Sequence, residues 1–94
     1  MLTSKQRATL KSIAQKEDTI FQVGKGGISE NLILQTADAL RARELIKLRV
    51  LDTALTNAQD IAKELAEKTD SEVVQVIGFK IILFKKSKEN KYKL

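Results

Sequence analysis

Neither cysteine nor histidine occurs in this chain. The first absence excludes disulfides and thiolate metal sites as the means of holding the fold together, and nothing argues for secretion. The second removes the commonest metal ligand and the commonest general base. Aromatic residues are scarce: Phe21, Phe79, Phe84 and Tyr92 are too few and too dispersed to make a stacking platform, and Phe21 and Phe79 are expected in the core. No apolar run approaches the roughly 20 residues of a membrane span. The first five residues lack the apolar region of a signal peptide. Carboxylates are present, but they lie mostly along one predicted helix rather than in the cluster a metal-dependent nuclease would need. The expectation is a soluble, cytoplasmic, non-catalytic protein with no cofactor, no metal and no membrane partner, monomeric when free.

What is present is one domain's worth of sequence, 94 residues, of which 43% are hydrophobic. That suffices for a single core but not for a large enclosed cavity. The net charge of +5 is unevenly spread. Residues 1–79 hold eleven Lys/Arg against eleven Asp/Glu, whereas residues 80–94 hold six lysines against Glu89 alone. Within the neutral part, residues 56–72 carry Asp60, Glu64, Glu67, Asp70 and Glu72 against Lys63 and Lys68. An acidic third helix and a basic end point toward a polyanion approached from one side.

Three of the four glycines fall within four positions, in Val23-Gly24-Lys25-Gly26-Gly27-Ile28-Ser29. An apolar run, Ile20-Phe21-Gln22-Val23, leads in, and a helical pattern leads out, so the stretch reads as strand, loop and helix start. It is not a P-loop, because Lys25 lies between glycines with no Ser or Thr after it. It is not a dinucleotide fingerprint, because position 29 is Ser where a glycine is required. What remains is G-x-x-G, Gly24 to Gly27, the form of loop with which KH domains clamp nucleic-acid backbone. Glycine lets another backbone approach closely, the helix start offers unpaired N–H groups, and Lys25 adds a cation. Taken alone, the loop reads first as a tight strand-to-helix turn that merely needs glycine.

In chain order, Thr3-Ser4-Lys5-Gln6 fits a capping box before a helix over about residues 4–16, with Lys5, Lys11 and Lys16 on its outer face. A strand over residues 19–23 precedes the glycine loop. Ser29 is the expected N-cap of the second helix, with Ile28 and Ile33 as a hydrophobic staple and Ile33, Ala37 and Leu40 as the buried stripe, Leu32 and Thr36 beside it. That helix ends near Arg43, where Arg41 and Arg43 suit the dipole. Residues 44–51 read as a strand with Ile46, Leu48 and Val50 on one side and Lys47 and Arg49 on the other. Thr56-Asn57-Ala58-Gln59 looks like a second capping box, opening a helix with the stripe Ala58, Ile61, Ala62, Leu65 and Ala66. Residues 72–77 and 79–86 form an antiparallel hairpin hinged at Gly78. The expected order is α-β-α-β-α-β-β: a single α+β domain over residues 1–86, with a mixed four-stranded sheet and helices packed on one face, followed by a basic, flexible tail over 87–94. The open face of such a sheet would carry Lys47 and Arg49.

Val23-Gly24-Lys25-Gly26-Gly27-Ile28, Arg43-Glu44-Leu45-Ile46-Lys47-Leu48-Arg49-Val50 and Val74-Gln75-Val76-Ile77-Gly78 stand in order at a spacing that resembles the CRM domain, an RNA-binding module, and more closely its stand-alone bacterial YhbY type. The resemblance covers about residues 2–86. It implies a fold like the C-terminal domain of translation initiation factor three, and a role in large ribosomal subunit assembly through binding precursor ribosomal RNA. The RNA-binding residues expected on this basis are Gly24, Lys25, Gly26, Gly27 and Ser29 at the loop, with Lys47, Arg49, Lys85, Lys86, Lys5 and Lys11 as a wider electrostatic footprint. The chain departs from the family pattern in its last strand, with Leu83-Phe84-Lys85 where many members have Leu-Tyr-Arg; Lys85 keeps the charge but not the bidentate fork. A reading from another class is a protein-interaction adaptor that docks on ribosomal proteins through the acidic third helix.

Overall fold

Thr3 and Gln6 close the capping box expected of them: Thr3 Oγ1 accepts from the Gln6 N–H at 3.1 Å and Gln6 Oε1 accepts from the Thr3 N–H at 2.9 Å. They open α1, Ser4–Ala14, in a computed structural model that describes residues 2–24, 28–51 and 57–86. The expected tail, 87–94, lies outside the described residues, as do Lys25, Gly26 and Gly27. The remaining elements are β1 (Phe21–Val23), α2 (Glu30–Arg43), β2 (Leu45–Val50), α3 (Ala58–Thr69), β3 (Glu72–Ile77) and β4 (Lys80–Phe84). They build a four-stranded mixed sheet in the order β1-β2-β4-β3, with β1 and β2 parallel and the other pairs antiparallel.

The helices do not all pack on one face. α2 and α3 cover one side, where Val23, Leu40, Ile46, Leu48, Ile61, Leu65, Ile81 and Leu83 belong to one core cluster. α1 lies on the other side, where Leu10 and Ala14 pack with Leu45, Val74, Ile82 and Phe84 in a second cluster. The cause is β4. Ile81, Ile82, Leu83 and Phe84 are all buried, so successive residues send apolar side chains to both faces, and each face must be shielded from water. α1 is tied down further by Arg7, whose guanidinium donates to the carbonyls of Val73 and Val74 on the edge strand β3.

Local choices also differ from the periodic reading. On α2 the buried residues are Leu32, Thr36 and Leu40, with Ile33 only half-buried at the flank. Thr36 can be buried because its hydroxyl donates to the Leu32 carbonyl at 2.7 Å, leaving no unmet polar group. The N-cap of α3 is Asn57, which accepts from the Asp60 N–H at 2.9 Å; Thr56 lies outside the described residues. Asparagine and threonine both accept well at this position, and composition alone does not rank them by place. The buried stripe of α3 is as expected. Phe79 is not in the core: it sits beside Gly78 in the two-residue β3–β4 turn and is 54% exposed. Gly78 has φ of 55°, a value that glycine takes without strain.

Candidate nucleic-acid interface

The register of the sheet aligns one residue of each strand across the α1 side. Gln22 pairs with Arg49, Arg49 with Lys80, and Lys80 with Ile77. All four are exposed. The rows behind them are covered: Lys47, Ile82 and Gln75 form one and Leu45, Phe84 and Glu72 the next, and among the described strand residues on this side Gln22, Arg49, Lys80 and Ile77 stand beyond the reach of α1. Lys47 is half-buried, and its Nζ donates to the carbonyl of Ala14 at 3.3 Å, where a cation complements the end of α1. Lys47 and Arg49 thus share a face, as expected, but Lys47 is engaged in holding α1 while Arg49 is open to solvent.

Gly24 continues β1 at this same end of the sheet, beside Leu51, whose N–H donates to the Val23 carbonyl at 2.9 Å. A Cβ at Gly24 would meet only Leu51 Cδ1, at 3.7 Å, an ordinary contact. Packing within the described residues therefore does not demand glycine here. Ser29 caps α2 by accepting from the Leu32 N–H at 3.1 Å. The backbone N–H groups of Glu30 and Asn31 have no acceptor among the described residues, as befits a helix start that can meet an anion. A shallow recess on this side is lined by Gln22, Gly24, Ser29, Asn31 and Gln35, which bring neutral amides next to the loop.

The other predicted site residues lie elsewhere. Lys85 and Lys86 follow β4 at the opposite end, about 17 Å away by the rise of β2. There Lys85 Nζ donates to the Thr69 carbonyl at 3.2 Å, and both lysines border a recess that also holds Asp70 and Glu72. Lys5 is exposed in the first turn of α1, and Lys11 is half-buried in its last. Phe84 is buried under α1, so its ring packs and does not stack on a ligand. Sequence reasoning missed Lys80 and the amides of Gln22, Asn31 and Gln35. Lys80 could have been found from the hairpin, since a two-residue turn fixes which residue of β4 follows it. Among the described residues, no group of three or more His, Cys, Asp or Glu side chains could hold a metal ion, and no helix is long and apolar enough to cross a membrane.

The model of the CRS1/YhbY (CRM) domain family matches residues 2–85. The chain is 50% identical over 91 residues to Probable RNA-binding protein YqeI of Bacillus subtilis, covering 97% of this chain and 95% of that protein. It is 30% identical to a protein of Haemophilus influenzae named RNA-binding protein, covering 99% and 94% of the two chains. The solution structure of SAV1595, a hypothetical protein of Staphylococcus aureus described as a candidate RNA binder, superposes with a TM-score of 0.84 at 51% identity, covering 98% and 96%. The match over nearly the whole length, on a fold with the glycine loop between β1 and α2, shows that this chain belongs to the CRS1/YhbY (CRM) domain family.

Proposed function

We propose that this protein binds RNA without catalysis and acts in the cytoplasm in assembly of the large ribosomal subunit, with precursor ribosomal RNA as its ligand. The observation that carries the RNA reading is the family match over residues 2–85, joined to relatives that are themselves named for RNA binding. The geometry supports it. Among the described residues a Cβ at Gly24 meets only an ordinary contact, so packing there does not demand the glycine, which suits close approach of a ligand backbone. The Ser29-capped start of α2 offers N–H groups to a phosphate, and Lys25, Arg49 and the remaining lysines contribute sequence-independent attraction.

A second reading has an observation in its favour: Asp60, Glu64 and Glu67 are exposed along α3, a surface suited to basic ribosomal proteins. Crosslinking the protein to RNA in cells and sequencing the bound fragments tests the first reading directly. Enrichment in one region of large-subunit precursor RNA is the expected result. Its absence, with the protein instead recovered on ribosomal proteins, would favour the adaptor.

A further inference from the structure

The exposed row on the α1 side of the sheet has a feature that folding does not explain. Arg49 and Lys80 are directly opposed cations on adjacent strands, an arrangement that destabilises a sheet. Neither makes an ion pair among the described residues. The groove they border is completed by Thr19, Ile20, Phe21 and Gln22, none of them acidic. Ile77, one of the three large apolar side chains exposed among the described residues, completes the row on β3. The row and Gly24 occupy the same end of the sheet, because Gln22 lies two residues before Gly24 and the Leu51 N–H donates to the Val23 carbonyl.

We infer that Gln22, Arg49 and Lys80 form a second contact for single-stranded RNA, continuing the path of a strand held beside Gly24. Arg49 and Lys80 neutralise successive phosphates, which relieves their mutual repulsion. The Gln22 amide lies where it can donate to or accept from a base edge. An unpaired base edge is what a single strand presents and a duplex does not. Strands about 4.8 Å apart put Gln22 and Lys80 roughly 10 Å from each other, a span of one to two nucleotides. The loop alone accounts for about four nucleotides of backbone, so the sheet lengthens the site beyond it.

This inference rests on the RNA reading, and probe length separates the two. The full chain is titrated with labelled random-sequence RNA of about 4 and about 12 nucleotides, the shorter sized to fill only the loop. In Arg49→Ala/Lys80→Ala, affinity for the long probe falls roughly tenfold at 0.1 M salt and its salt slope becomes shallower by about 1.4, or 0.7 per lost contact. The short probe loses no more than about twofold, from weaker diffuse attraction alone. Gly24→Asp weakens both probes. Arg49 and Lys80 are exposed, so thermal unfolding of the double variant is expected within a few degrees of the wild type, and removal of the cation pair raises it. Equal loss on both probes, or none on either, in the double variant would overturn the sheet contact while leaving the loop intact. A wild-type chain that bound neither probe would remove the RNA reading, and the sheet contact with it.

Discussion

Lys47 Nζ donates to the carbonyl of Ala14 at 3.3 Å, joining the middle of β2 to the last residue of α1. The contact places a cation at the negative end of a helix dipole and lays its aliphatic stem on the sheet. Replacement by methionine, which keeps most of the stem and loses the charge, is expected to cost about 0.5 kcal/mol. For a domain of this size that corresponds to roughly 2–4 °C in thermal unfolding. No change would mean the ammonium adds nothing to holding α1.

Leu10 is fully buried between α1 and the sheet, in a cluster separate from the one beneath α2 and α3. Leu10→Ala should cost about 2–5 kcal/mol, a large share of the roughly 5–15 kcal/mol that holds a small domain. Hydrogen exchange should quicken first in α1, while amides of α3 and the centre of the sheet stay protected in proportion to the remaining stability. Uniform loss of protection would show that the two clusters melt as one unit.

Gly24 separates fold from ligand. Gly24→Ala introduces a Cβ 3.7 Å from Leu51 Cδ1, so stability should stay within about 0.5 kcal/mol of the wild type. RNA affinity should nevertheless drop, since the methyl group occupies space that a ligand backbone would use. Thermal unfolding beside a binding titration reads both, and a parallel fall in the two would make the glycine a requirement of folding.

Asp70 closes α3 in the left-handed region, at φ 53° and ψ 46°. Most side chains are strained there, and glycine is not. Asp70→Gly is expected to stabilise the protein by up to about 1 kcal/mol, seen as a higher midpoint in denaturant with an unchanged slope. A lower midpoint would mean the Asp70 carboxylate contributes more than its backbone conformation costs.

The helix and strand boundaries were legible because they depend on neighbours in sequence. The Thr3–Gln6 capping box, the Ser29 cap, the apolar stripe of α3 and the hinge at Gly78 each involve groups a few positions apart, and each appears where the local pattern puts it. The parallel pairing of β1 with β2 followed from the intervening helix. Even the second covered face had left a trace, in the unbroken apolar run Ile81-Ile82-Leu83-Phe84, which does not alternate as a strand with one wet side would.

Which helix shields which face, and which cations remain free, are long-range matters. Lys47 and Arg49 are two residues apart on one strand and look alike in sequence. One is drawn under α1 by a carbonyl 33 positions away, and the other meets Lys80 across the sheet. Local periodicity assigns a side chain to a face of its own element; it carries no information about how far a neighbouring helix extends over that face. The glycine loop could therefore be read from the sequence of this protein, whereas the exposed row beside it exists only because α1 stops at Ala14 and the β3–β4 hairpin brings Lys80 next to Arg49.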